Sequence, residues 1–216
     1  MRVLLIAVAA AFFITPAWAG AVVRLRIDYS NPRLIPSGWT LVLYPDGAGH
    51  FRSERGTTQP SKITMEPTDV DKKIQLSQQF TEHVFAAMQH GKLLDENCES
   101  HMKVAFQGWK KFTYSGPDGE RTCEFNYSKD KQLQGLGDAF IGVANTIIEG
   151  ARLEMLLDHD PLGLDSEMGF ILEASHDGRL RQLCTIRGIL EKLASNPSVM
   201  ERVRRRARIL LARADK

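Results

Sequence analysis

Cys98 and His101, three residues apart, are the closest this chain comes to a thiol nucleophile beside its base. A thiol acts as a nucleophile only as the thiolate, so such a pair needs a free Cys98 that the imidazole can deprotonate. A cystine at Cys98 beside a surface His101 is the plainer reading and removes the nucleophile. The loop Asp158-His159-Asp160-Pro161-Leu162-Gly163-Leu164-Asp165-Ser166-Glu167 gathers four carboxylates and an imidazole, donors suited to a hard cation. It lacks the regular acidic spacing and closing Glu of a calcium loop, and Asp165 reads more simply as a helix cap. His83 and His90 lie seven residues apart on one expected helix, about 10 Å along its axis, too far to share one metal ion. There is no Gly-x-Ser-x-Gly for a serine hydrolase and no His-Glu-x-x-His for a zinc peptidase. The sequence therefore names no catalytic residue, and neither metal nor cofactor is expected.

Of the three cysteines, Cys98 and Cys123 are the preferred disulfide pair. Cys123 falls in a strand pattern and Cys98 in the polar segment before the partner strands, so a short stretch of chain closes the loop. The bridge would stabilise by about 3 to 4 kcal/mol on chain-entropy grounds. Cys184 falls on the apolar face of an expected helix as a small buried hydrophobe. Arg181 and Arg187 keep open the alternative of a reactive thiol in a basic neighbourhood.

Two surfaces offer binding chemistry. The last helix carries Arg202, Arg204, Arg205, Arg206, Arg208 and Arg213 around an apolar stripe of Val199, Val203, Ala207, Leu210 and Ala214. That pattern suits an acidic protein or anionic lipid headgroups, and equally a helix packed on the core with a solvated basic face. Arg202, Arg204, Arg205, Arg206 and Arg208 are the candidate interaction residues. The aromatic set Trp39, Phe106, Trp109, Phe112 and Tyr114 suits either a sheet-face pocket or, as is commoner for alternating aromatics, the core.

The elements that must position these groups follow from periodicity. Val23, Leu25 and Ile27 alternate with Arg24, Arg26 and Asp28, which predicts a strand with one wet face. Residues 39–44 and 50–54 form a hairpin around Asp46-Gly47, and a short strand is expected over Lys62 to Met65. Thr68 with Asp71 reads as a capping box opening a helix through Val70, Ile74, Phe80, Val84 and Met88 to Gly91. Residues 103–127 form a second hairpin around Gly116-Pro117-Asp118-Gly119. Pairing Ser115 with Glu120 sets Phe112 against Cys123 on one face and Lys111 against Glu124 on the other.

From residue 129 the chain is helical. Leu133, Leu136, Phe140, Val143, Ile147 and Ala151 mark a long helix to about Leu157, whose four glycines imply close packing or a break. Asp165 caps a short helix to about Ala174, a further helix spans Leu180 to Leu193, and Ser198 with Glu201 boxes the last one. Strand-rich 21–66 and 103–127 with helical 68–91 and 129–214 predict one α+β domain over 20–216, an antiparallel sheet with helices packed on it and a helical C-terminal third.

The hairpin Leu41-Val-Leu-Tyr-Pro-Asp-Gly-Ala-Gly49 leading into a helix near Phe80 to Phe85 resembles exported bacterial domains of unknown function, over about residues 22 to 127. Those domains have no assigned activity or site, so nothing functional is carried over from the resemblance.

Residues 1–19 read as a cleaved export signal. Arg2 precedes an apolar run from Val3 to Ile14, then Pro16 and the small-x-small triplet Ala17-Trp18-Ala19. A membrane span needs about 20 apolar residues and this run has about a dozen, which argues against the alternative of an uncleaved anchor. Loss of Arg2 lowers the formal net charge from +2 to +1. Near-neutrality and export both argue against nucleic acid as a partner. The expectation is an extracytoplasmic, non-enzymatic binding or interaction domain of the cell envelope that meets a protein or an anionic envelope component, with no span after cleavage. The alternative is a hydrolase or thiol-redox enzyme whose site is dispersed.

Overall fold

The computed structural model describes residues 22–56, 67, 69–90, 93–94 and 98–214. Six strands, β1 (Arg24–Ser30), β2 (Gly38–Leu43), β3 (Ala48–Glu54), β4 (Asp71–Gln75), β5 (Trp109–Gly116) and β6 (Gly119–Phe125), form one sheet in the order β4-β3-β2-β1-β5-β6. Every neighbouring pair is antiparallel. Helices α1 (Gln78–His90), α2 (Lys131–His159), α3 (Leu164–His176), α4 (Arg187–Ser195) and α5 (Glu201–Ala214) follow, with a 3₁₀ turn at Leu183–Ile186 before α4. The fold is the expected α+β class.

Alternation decides which face of the sheet is covered. Leu25, Ile27, Leu41, Leu43, Phe51, Phe112 and Phe125 are buried, while Arg24, Arg26, Arg52 and Lys111 between them are exposed. Phe140 of α2 meets Phe112 edge-on at 5.8 Å and Phe80 of α1 at 5.5 Å, so both helices lie on the apolar side. Burying each such ring contributes on the order of 2 to 3 kcal/mol. The expected second hairpin holds residue for residue: Ser115 pairs with Glu120, Phe112 with Cys123 and Lys111 with Glu124. In the first hairpin Gly47 takes φ +82° at the turn and the Asp46 carboxylate accepts the Ala48 N–H at 3.0 Å.

Whether the chain has one core or two was left open by its pattern. A first cluster joins the sheet, α1 and the front of α2 as far as Ala151, and a second joins Leu153 and Leu156 to α3, α4 and α5. One 29-residue helix thus serves both. Its glycines mark where neighbours come close: a Cβ at Gly137 would lie 3.3 Å from Phe125, and one at Gly150 would run into Ile186.

Several expectations give way. Residues 71–75 are strand β4, not helix, and α1 begins at Gln78. Val70, Lys72, Ile74 and Leu76 follow period two. Lys72 completes the inward set by reaching Glu154 of α2 at 2.5 Å, so the apolar pair at 70 and 74 fitted both periods. Asp71 therefore caps nothing. The Ser77 hydroxyl instead accepts the Phe80 N–H at 3.4 Å in the first turn of α1. Thr68, Gly91 and the strand expected at 62–65 lie outside the described residues. Residues 101–108 are irregular, and β5 starts at Trp109.

Helix α3 starts one residue before Asp165, which sits in the first turn rather than at the cap. The expected helix from Leu180 is a connector, the 3₁₀ turn and then α4, because Gln182 adopts a left-handed φ of 57° that no helix can contain. The carboxylate of Glu201 turns forward to Arg204 and Arg208, so no capping box forms with Ser198.

Candidate functional site

Cys98 and Cys123 are joined by a disulfide, with Cα atoms 6.1 Å apart, which leaves His101 without a thiol partner. Beside the bridge, Glu99 ties the incoming segment to the end of β6: its carboxylate accepts the N–H of Asn126 at 2.6 Å, Tyr127 at 3.3 Å and His101 at 3.0 Å. Burial pushes this carboxyl up, but those bonds outweigh it and hold it below the usual glutamate value. Cys184 is free and half-buried rather than fully buried, and burial pushes its thiol up, away from the thiolate. Neither cysteine site has the makings of an activated nucleophile.

Among the described residues, no group of three or more His, Cys, Asp or Glu side chains is placed to hold a metal ion. The acidic loop is divided between neighbours: Glu167 faces Arg152 at 3.8 Å, and Asp165 takes Arg202 at 2.6 Å and Arg206 at 2.9 Å. His83 is exposed on α1.

The basic helix is partnered within the chain. Arg202 and Arg206 turn to Asp165, Arg204 and Arg208 each reach Glu201 at 2.5 Å, and Arg213 donates to Ser175 at 2.8 Å. Only Arg205 of the five candidate residues is exposed with no ion pair among the described residues. The continuous basic face read from the sequence is split into pairs that hold α5 to α3 or to itself.

Strand parity divides the aromatic set. Trp39, Phe112 and Tyr114 face the core, Trp39 stacking on Tyr29 at 5.2 Å. Trp109 and Phe106 are outside, 42% and 39% exposed, edge to face at 6.3 Å. Met102 and Val104 extend the same exposed segment. Its backbone is fixed, since Gln107 accepts from the Tyr29 hydroxyl at 2.9 Å and donates to the Asn126 side chain at 2.7 Å.

The uncovered sheet face beside this pair is graded by the register. Trp109 lies opposite Ser30, Ser30 opposite Gly38 and Gly38 opposite Glu54. Two small residues therefore separate an indole from a carboxylate across three strand spacings, about 14 Å. The next row reads Glu124, Lys111, Asp28, Thr40, Arg52 and Asp71 across all six strands. Burial pushes Asp28 up, but three bonds from Arg26 and one from Thr40 at 2.6 Å hold it below the usual aspartate value. It is an internally satisfied carboxylate and no proton donor at neutral pH. The face offers apolar contact at one end and fixed charges of both signs along its middle.

The sequence reading missed this face as a unit. Its signal was the parity of Trp109 against Phe112, which the hairpin register already contained. It also missed Lys110, which is 1% exposed and donates to Asn126 O at 2.6 Å and Gly108 O at 3.3 Å, its ammonium 5.3 Å from the Phe125 ring. No family model and no curated protein matches this sequence.

Proposed function

We propose that this chain is an exported, non-enzymatic interaction domain of the cell envelope that engages a protein partner through its uncovered sheet face. The observation that carries the reading is the exposed Phe106 and Trp109 pair at one end of a six-stranded face that no helix among the described residues covers. Exposed aromatics are enriched at interface centres, and the charged residues of the neighbouring row suit the polar rim of such a contact. The leader-like residues 1–19 and the Cys98–Cys123 bridge support an extracytoplasmic setting, since disulfides persist in oxidising compartments. Among the described residues no helix is long and apolar enough to cross a membrane.

The enzymatic alternative loses its best candidate, because Cys98 is held in the cystine. The basic helix loses ground as the docking surface because four of the five candidate arginines are paired within the chain.

Crosslinked pull-down from the extracytoplasmic fraction of producing cells tests the proposal, with residues 20–216 as bait. Phe106→Ala with Trp109→Ala removes capture and leaves the melting temperature within about 2 °C, since both side chains are already exposed. Capture that survives those changes and is lost on reversing Arg204, Arg205 and Arg208 assigns the contact to α5 instead and overturns the proposal.

A further inference from the structure

Between the start of α1 and the C-terminal helices lies a cleft of about 530 Å³, within the size range of small-molecule sites. Phe80, Leu180 and Leu183 supply its apolar lining, and Arg181 and Arg213 line it from two different segments. Among the described residues that line it there is no Asp or Glu. Neither arginine has an ion pair among the described residues, in contrast to Arg202, Arg204, Arg206 and Arg208 nearby in the chain. Arg181 also borders the neighbouring cleft, lined by Asp138, Glu149 and Asp177, where its Nε donates to the Gly178 carbonyl at 3.3 Å without an ion pair to any of the three.

The walls are fixed before any ligand arrives. The Arg181 N–H donates to the Thr146 hydroxyl at 2.9 Å, and that hydroxyl donates to the Arg181 carbonyl at 2.7 Å, clamping the residue to α2. Arg213 is held by Ser175 at 2.8 Å. Gln182, at a left-handed φ of 57°, turns its side-chain oxygen to accept the Ser77 N–H at 2.8 Å and so locks the connector to the start of α1. A non-glycine residue held in that conformation is a local cost that surrounding structure must impose. Two guanidiniums with no carboxylate partner among the described residues, over an apolar lining, attract an anion, and that lining selects anions that carry an apolar part.

We infer that this cleft binds a small amphiphilic anion, a carboxylate or phosphate monoester whose head lies between Arg181 and Arg213 and whose tail rests on Phe80, Leu180 and Leu183. The site is separate from the uncovered sheet face and stands or falls independently of it.

Cys184 also lines the cleft and is the chain's free thiol, so it supplies a reporter in the native protein. Its reaction with a chromogenic disulfide reagent is followed in residues 20–216 against octanoate, octyl phosphate, neutral octyl glucoside and inorganic phosphate, with Cys184→Ser as the blank. Octanoate or octyl phosphate slows labelling by about tenfold at saturation, while octyl glucoside and inorganic phosphate at the same concentration do not. Protection by octanoate alone identifies the source as a free acid, and preference for octyl phosphate identifies a lipid-like headgroup.

Arg181→Gln with Arg213→Gln weakens the protecting anion by about tenfold or more. Gln79→Glu, an exposed substitution on the cleft lining that spares every internal contact named above, weakens it as well if the cleft is the site, whatever the arginine variants do to folding. No protection by either octyl anion overturns the inference. So does equal protection by octyl glucoside or by inorganic phosphate, or protection unchanged in Gln79→Glu.

Discussion

Single side chains in this protein act mostly by tying segments together, and their titration shows it. Glu99 collects three backbone N–H groups from two segments. Glu99→Gln weakens those bonds and lowers stability by about 1 to 2 kcal/mol at neutral pH in chemical denaturation. Because its folded pKa lies below its ordinary value, the contribution is present in full above the unfolded value and is lost as pH falls through the folded one. The Gln variant is therefore missing part of the loss of stability below about pH 4.5 that the parent shows. Lys110 poses the opposite case: burial disfavours its charge, yet its ammonium satisfies two backbone carbonyls. Lys110→Met leaves those carbonyls orphaned and costs about 1 to 3 kcal/mol, read from the denaturation midpoint at an unchanged slope. Neither role is visible in sequence, because a lone Glu or Lys in a polar stretch carries no sign of which backbone groups it will meet.

At the scale of elements, the helices are positioned by small residues and by paired charges. Gly135 on α2 has open space around it, whereas a Cβ at Gly150 would run into Ile186. Gly135→Ala therefore raises stability by up to about 1 kcal/mol, and Gly150→Ala lowers it by about 1 to 3 kcal/mol; thermal melts of the two variants check the opposite signs. Arg206 and Arg205 make a similar contrast on α5. Arg206 bonds both the carboxylate and the carbonyl of Asp165, so Arg206→Ala loosens α3 against α5 by about 1 to 2 kcal/mol, while Arg205→Ala stays within about 0.5 kcal/mol.

Elements governed by local pattern were legible in the sequence. The 109–125 hairpin was readable to the register because turn chemistry, alternation and cross-strand charge all agreed. Strand β4 was not, because Val70 and Ile74 satisfy both periods and only the distant Glu154 explains Lys72 on the inward face. The arginines of α5 were legible as basic and illegible as paired. Asp165, 41 residues from Arg206, is near it only in the fold.

Over the whole molecule, a sheet with helices on one side and a second helical cluster hung on α2 leaves two places where chemistry meets solvent. One is the uncovered sheet face with Phe106 and Trp109, and the other is the arginine-lined cleft where the two clusters adjoin. The Cys98–Cys123 bridge fastens the exposed aromatic segment to β6, and replacing both cysteines by Ala costs about 2 to 4 kcal/mol.

Crosslinking in the cell tests the proposed contact through the sheet face. The most direct measurement places a photoreactive phenylalanine at Lys111, beside Trp109 on that face, or at Arg205 on α5, and irradiates producing cells. Contact through the sheet face gives one discrete crosslinked species from position 111 that disappears with Trp109→Ala, and none from position 205. A species from 205 alone, or one from 111 that persists without the indole, contradicts it.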